Sequence, residues 1–373
     1  MPRTARRRMS VLLYRPSLDL RSGTGQLMRA QLAGLASAGV AARLGCERGR
    51  LRFFLRTGVL PVRLAVAGAR RAAAAGFVVD HGLALPAAAV VFVHNLATEA
   101  VRHLERDDWA EAARAEAAFF AALDPAAPIV ANSRLVESAL VAHYGLARTR
   151  IVVHYPGYDQ AAFAPERAAA LRSAARGALG IDSAAPLVGF VTSGDFRKRG
   201  LDLFLETAER IAAARPATRF LVVGSKALPD WARAHELVRS GRLLHRPKGR
   251  EPARWMAALD LFLYAARFEE FGLVVLEAQA LGVAVLTSRR VGAAECLAAD
   301  YGRWLLDAPD PAAFAASALA LLADVETRRA LGAAGAAHAA AFDRDAYVRA
   351  TLATLRATEG FPAAAPGYSP PNR

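Results

Sequence analysis

The stretch from Leu261 to Leu281 leaves this chain few folds to choose from. A short apolar run, Leu261 to Tyr264, leads into a loop carrying an acid, Glu269, and then a tight turn, Phe271-Gly272-Leu273. After the turn an apolar pattern of helical period opens, with a second acid, Glu277, inside it. Strand, loop, turn and helix in that order are half of a βαβ unit, which belongs in a sheet covered by helices. The layout also suits an anion. Free N–H groups at a helix start point at one, the helix dipole favours negative charge there, and Gly272 lets the backbone come close. Glu269 and Glu277 stand eight positions apart. They are spaced to grip two parts of an elongated ligand such as a nucleotide sugar, with hydroxyls at both ends and a diphosphate between. By spacing alone they read as a solvated pair beside a turn.

The same grammar runs through the chain. Val11–Tyr14 reads as a buried strand, Arg15–Gly25 as a loop ending Ser-Gly-Thr-Gly, Gln26–Ala38 as a helix stopped by Gly39, and Val40–Leu44 as a strand. Phe77–Asp80, Val90–Val93, Ile129–Ala131 and Ile151–Val153 are further strands, and Asp107–Leu123 and Glu166–Gly180 are helices. Asn132 or Ser133 caps the helix that follows Ala131. A second series begins at Leu187–Val191 and continues through Phe220–Val223, Leu243–His245, Leu261–Tyr264 and Val283–Thr287. With 373 residues the chain is long enough for two such α/β domains of Rossmann-like type. The segment near 165–186 reads as the link between them.

Ligands of open α/β sheets bind at the carboxyl ends of strands, and three such ends carry chemistry here. Gly23 and Gly25 follow the first strand, in a pattern that also fits a plain turn. His94-Asn95 follows Val90–Val93 directly, where a histidine also serves as a strand-end cap. Arg197-Lys198-Arg199, in the loop Thr192–Gly200, put three consecutive cations before a helix start. Arg offers phosphate a planar fork and Lys a point charge; a solvated basic turn is the bland reading. The remaining histidines, His81 among them, read as structural or surface groups.

The formal charge of +14 favours an anionic partner. Nucleic acid fits poorly, because aromatic residues are not interleaved with basic ones on a strand as a stacking platform requires. Cys46 and Cys296 lack metal spacing and give no disulfide framework, which suits a reducing compartment. No apolar run reaches membrane-spanning length. The basic start with Arg3, Arg6, Arg7 and Arg8 precedes a strand rather than a signal peptide. A cytoplasmic protein is expected. Arg48 to Arg71 mixes seven arginines with Phe53, Phe54 and several aliphatic residues. This is the composition of a segment that meets anionic lipid, or of a solvated helix whose Phe side chains enter the core.

These motifs resemble the retaining glycosyltransferases of family 4 (glycosyltransferase group 1), which have the two-domain GT-B fold. The family's paired-glutamate pattern E-G-F-G-L-P-x-x-E reads here as E-E-F-G-L-V-V-L-E, with Glu270 replacing glycine and Val274 replacing proline. V-F-V-H-N-L around His94, and A-N-S-R followed by V-V-H-Y-P-G-Y-D, match its first domain. Its G-G-x-x-E reads as Gly292-Ala-Ala-Glu295, and Trp304–Asp307 with Asp310–Leu322 resemble its last strand and helix. The basic loop is similar to that of lipopolysaccharide-core glucosyltransferase-like members. It departs from the family at Gly194, where an arginine is usual.

The resemblance implies two Rossmann-like domains facing each other across a cleft. It places an N-terminal acceptor domain at 9–170, a nucleotide-sugar donor domain at 185–340, a helix at 341–358 crossing back to the first domain, and a disordered tail at 359–373. It implies transfer of a hexose, with retention and without a metal or other cofactor, from a UDP- or GDP-linked sugar to a glycan or lipid-linked acceptor of the cell envelope, at a site peripheral to the cytoplasmic membrane. His94, Lys198, Arg199 and Glu269 are then the catalytic set. Gly23, Gly25, Arg197, Phe271, Gly272, Leu273, Val274 and Glu277 hold the donor, Glu277 through the ribose. The extra charge of Glu270 is expected to face solvent or to meet Arg267 or Arg289. A nucleotide-sugar epimerase and a non-catalytic nucleotide-sugar or anion-binding protein on the same scaffold are the competing readings.

Overall fold

The computed structural model describes residues 10–19, 23–104, 107–192, 194–247, 249 and 251–364. The N-terminal arginines, Ser22 of the first loop, Ser193 of the basic loop and the end of the tail, 365–373, lie outside them. The chain forms two compact units. The first takes the chain up to Val101, on from Arg106 to Tyr155, and again from Asp345; the second takes Arg102–Glu105 and Pro156–Arg344.

The first unit is built on seven parallel strands: β1 (Val11–Tyr14), β2 (Ala42–Cys46), β3 (Val62–Arg63), β4 (Val78–Asp80), β5 (Val90–Val93), β6 (Ile129–Ala131) and β7 (Ile151–Val153). Their order is β3-β2-β1-β4-β5-β6-β7, so the winding direction reverses between β1 and β4. Successive residues along a strand point to opposite faces. Val78, Val91, Val93, Ile129 and Ala131 accordingly enter one core, while Val79, Val90, Phe92 and Val130 enter another. Burial on both faces explains why these strands read as continuous apolar runs. The second strand sits two residues later than the apolar pattern suggests, because Val11 registers with Ala42.

The last helix, Arg344–Ala357, belongs to this unit from Asp345 on. Its Tyr347 and Leu355 are buried in the second core, and Gln31 donates to the Tyr347 hydroxyl at 2.7 Å. Gly34 makes room for it: a Cβ there would lie 2.3 Å from Val348 Cγ1. Phe361 packs edge-on against Phe77 at 5.3 Å, so the tail does not leave the fold at 359.

The second unit has five parallel strands: β8 (Leu187–Val191), β9 (Arg219–Gly224), β10 (Leu243–Pro247), β11 (Leu261–Leu263) and β12 (Ala284–Leu286). The order β10-β9-β8-β11-β12 reverses between β8 and β11. Phe190, Phe204, Phe220, Phe262 and Tyr264 form a contiguous aromatic core. Helix Pro165–Leu179, which the sequence suggests as part of a link, is docked on this unit. Arg172 and Arg176 donate to the Ala258 carbonyl at 3.0 and 2.9 Å and pair with Asp260, which also accepts from the Leu187 N–H at 2.8 Å. The first unit therefore ends before residue 170. Trp304–Asp307, read as a strand, is the end of a 3-10 helix followed by a single bridge, Leu306 to Ser288. Pro309 lacks an N–H to extend a ladder, and Asp310 caps the next helix on Ala313 at 2.6 Å.

Candidate active site

In an open parallel sheet the crevice lies where the strand order reverses, outside the carboxyl ends of the two strands. In the second unit those strands are β8 and β11, and they carry the basic loop and the paired glutamates. The loop after β8 is folded by its own polar groups. Gly194 N–H donates to Thr192 Oγ1 at 3.1 Å, and Asp195 accepts from Arg197 N–H at 2.7 Å in an Asx turn. Gly200 closes it with φ +76, a region costly for residues with a Cβ, and a Cβ there would meet the Ala265 carbonyl oxygen at 2.0 Å. Only glycine lets this loop pass the end of β11.

The segment after β11 is fixed from its own side. Glu269 donates its N–H to the Arg290 carbonyl at 2.9 Å and accepts from Gly292 N–H at 3.0 Å. Gly272 takes φ +87 and starts helix Leu273–Ala280, with Phe268 and Phe271 buried beneath. Arg267 joins the two loops. It grips Asp202 with two bonds of 2.7 Å and donates to the Arg197 carbonyl at 3.1 Å. Burial works to raise the Asp202 carboxyl, but the Arg267 fork outweighs it and leaves it below the usual range.

Where the loops meet, four charges pair off. Lys198 Nζ donates to both oxygens of Glu270 at 2.9 and 2.8 Å, with residue exposures of only 6% and 1%. Arg199 pairs with Glu269, whose Oε2 also accepts from the Tyr264 hydroxyl at 2.9 Å. Burial, helped by Arg199, pushes the Lys198 ammonium below the usual lysine range against the pull of Glu270. Arg197 is exposed, and Glu277 sits partly exposed on the new helix. The expectation for Glu270 is thus corrected. It is buried and neutralised by Lys198, because Arg267 is held by Asp202 and Arg289 by Asp307 at 3.1 Å. The glycine at 194 also has a local reason: a Cβ there would lie 2.9 Å from Arg199 Nε, so its absence makes room for that guanidinium.

In the first unit the reversal lies between β1 and β4, and the groups at its rim are Arg15 and Asp80-His81, with His94 on the neighbouring β5. The buried Asp80 carboxylate accepts three backbone N–H bonds, from Gly82, Ala84 and Leu85 at 2.7–2.8 Å. Burial nonetheless raises its pKa. His81 Nδ1 lies 2.9 Å from His94 Nε2. Burial, then Arg15, pushes His94 down to about 3, and burial, His94 and Arg15 drive His81 well below its ordinary value. Asn132 Nδ2 donates to the His94 carbonyl at 3.2 Å, while Ser133 caps helix Arg134–Tyr144 on Val136 N–H at 3.1 Å. Glu116 accepts from the N–H groups of Ala97 and Thr98 at 2.7 and 3.2 Å and so caps the helix after His94. Gly23 and Gly25 fall in the first turn of helix Gly23–Ser37 rather than in the loop before it.

Sequence reading gives no sign of His81, Tyr264, Asn132 or Glu116 as parts of these sites. His81, Asn132 and Glu116 act through residues 13 or more positions away, and Tyr264 through Glu269, five positions on. A polar residue directly after a buried strand, as at His81 and Tyr264, is the one local signal available.

A family model described as glycosyl transferases group 1 matches residues 185–324. The chain is 33% identical over 240 residues to the D-inositol 3-phosphate glycosyltransferase of Segniliparus rotundus, a match covering 61% of this chain and 52% of that protein. To the enzyme of that name from Paenarthrobacter aurescens it is 30% identical over 278 residues, covering 72% of this chain and 67% of that protein. The chain thus spans between half and two thirds of the length of these curated relatives. The fold is that of WaaG, a glycosyltransferase involved in lipopolysaccharide biosynthesis, with a TM-score of 0.75 over 92% of this chain and 99% of that one, at 19% identity. Each unit, with its parallel sheet, is of the kind that makes up the GT-B class.

Proposed function

We propose that this chain, which belongs to the glycosyl transferases of group 1, moves a hexose from a nucleotide-diphosphate sugar to a glycan or lipid-linked acceptor. The observation that carries the reading is the meeting of the β8 and β11 loops at the reversal of strand order, with two cations and two carboxylates in contact. In this reading the N–H groups from Gly272 to Val274 face the diphosphate and Glu277 accepts from the ribose hydroxyls. Arg199 exchanges Glu269 for a phosphate oxygen, which releases Glu269 to a hydroxyl of the sugar. Lys198 and the exposed Arg197 add positive charge as the diphosphate departs, and His94 donates to the sugar. Preorganised donors of this kind typically contribute about 3 kcal/mol each to the transition state. The leaving phosphate takes the acceptor's proton on the same face, which retains configuration and requires neither a protein nucleophile nor a metal.

The test is a thermal-shift screen against UDP-, GDP- and ADP-sugars, since a ligand at about 100 times its Kd stabilises the native state by about 2.7 kcal/mol. One of the series is expected to raise Tm, and Glu277→Ala to abolish the rise. No shift with any of them sinks the donor site.

A membrane-surface acceptor is favoured by helix Arg50–Thr57. Phe53 anchors it at 1% exposure, while Leu51 and Leu55, one turn apart, are 66% and 73% exposed beside the exposed Arg52. Apolar side chains among arginines suit the headgroup region of anionic lipid at the cytoplasmic face. Among the described residues no helix is long and apolar enough to cross a membrane. The protein is expected to float with phosphatidylglycerol-containing vesicles at low salt, and the double variant L51S/L55S to stay at the bottom. Equal behaviour of the two removes this surface from the proposal.

A further inference from the structure

The two histidines at the rim of the first sheet are read from the sequence as one functional group and one structural one. Their geometry joins them. His81 is 2% exposed, and its backbone N–H donates to the Tyr14 carbonyl at 2.9 Å. Its ring stacks on Phe92 at 4.7 Å between centroids and on His94 at 5.2 Å, with interplanar angles of 23° and 16°. Gly82 lets the chain after β1 close over it, because a Cβ there would sit 2.4 Å from Pro16 Cδ. His81 Nδ1 and His94 Nε2 stand 2.9 Å apart, and His81 Nε2 is buried with no hydrogen-bond partner among the described residues.

Two neutral rings in contact through one nitrogen each share a single proton, and its position fixes both tautomers. If His94 Nε2 carried it, His81 would hold its own proton on Nε2, as a buried N–H without an acceptor. Orphaned buried N–H groups are rare, and a bare acceptor is tolerated more readily. The neighbouring Asp80 does not relieve such an N–H, since its carboxylate faces the N–H groups of Gly82, Ala84 and Leu85 and makes no hydrogen bond to His81 Nε2, and Arg15 opposes any positive charge on the pair.

We propose that His81 is a positioning residue for His94: it donates its Nδ1–H to His94 Nε2 and so holds His94 as a neutral imidazole with its proton on Nδ1. His94 is then a hydrogen-bond donor suited to an uncharged sugar oxygen, and its other ring nitrogen is committed to the protein. The bearing of this on sugar recognition rests on the transferase reading; the tautomer itself does not.

Long-range 1H–15N spectra of protein labelled at histidine, recorded at pH 7, decide it, with the His94 signals identified by their loss in His94→Ala. Both rings are expected to give the pattern of a neutral, Nδ1-protonated imidazole. His81→Leu should move His94 toward the Nε2-protonated form, and His81→Asn, whose amide N–H can take the place of Nδ1–H, should restore it. An Nε2-protonated or doubly protonated His94 in the wild type overturns the proposal, as does a His94 pattern indifferent to His81→Leu. Should His81→Leu fail to fold, the wild-type spectrum alone still decides. Failure of the nucleotide-sugar screen would leave these spectra unaffected, so the two ideas fall separately.

Discussion

Replacing Lys198 by Met strikes at the least solvent-accessible charge pair of the second unit's site. The ammonium lies 2.9 and 2.8 Å from the two Glu270 oxygens, and the side chains are 8% and 1% exposed, so water does little to screen them. At an effective dielectric of about 20, two unit charges roughly 3 Å apart attract by about 5–6 kcal/mol. Much of that is offset by the desolvation of both groups, which is why deleting the pair together costs little. Deleting the lysine alone leaves the Glu270 carboxylate buried without this cation, at a cost of about 3–5 kcal/mol. The assay is urea unfolding of wild type, K198M, E270L and K198M/E270L. Intrinsic fluorescence is the signal, and Trp231, Trp255 and Trp304, three of the chain's four tryptophans, lie in the second unit. Each single variant is expected to lose about 3–5 kcal/mol and the double variant about 1 kcal/mol more or less than wild type. The coupling energy then exceeds about 2 kcal/mol. A K198M loss below about 1 kcal/mol, or single losses that simply add, would refute the reasoning and return Lys198 to the solvated face of the loop.

Acid should destabilise the first unit early. Burial is the main cause that pushes His94 down to about 3 and His154 to about 4, against 6.5 for an ordinary histidine. The unfolded chain therefore binds more protons in that window. The contribution is complete above about pH 6.5 and is lost as pH falls, by about 1.4 kcal/mol per pH unit for each histidine. Melting curves at pH 7.5, 6 and 5 check this, and a Tm unchanged between pH 7 and 5 contradicts it. Tyr264→Phe removes one of the two donors to Glu269 Oε2, the other being Arg199, and is expected to cost about 1.5–3 kcal/mol of stability for the lost hydrogen bond to a charged group. It should also weaken binding of a nucleotide sugar more than that of the free nucleoside diphosphate, measured by calorimetry. Gly272→Ala forces a Cβ into φ +87, with Glu269 Cγ and Val291 Cγ1 each 3.0 Å away. A loss of about 1–2 kcal/mol is expected in denaturant melts, and an equal or higher stability would mean the turn relaxes.

The strands and the turns were legible because their causes are local. Apolar runs of three to six residues ending in Gly, Pro or a charged loop can be read position by position, and the Phe-Gly-Leu turn with its flanking acids is a contiguous signal. The same locality hid other features. Gly34 looks like a flaw in a helix until Val348, from the far end of the chain, is packed on it. Helix Pro165–Leu179 looks like a free connection until Arg172 and Arg176 find Asp260.

The sequence by itself determined which loops carry cations, acids and the histidine, because composition and glycine placement are written along the chain. Only the tertiary structure decided which charge meets which. Lys198 and Glu270 are 72 positions apart, and His81 and His94 are joined across neighbouring strands. These partners are set by strand order, which brings the carboxyl ends of β8 and β11 side by side. Periodicity reports whether a residue faces the core. It carries no information about which distant loop will share a buried site, and there the dielectric is low enough that an unpaired charge must find a partner.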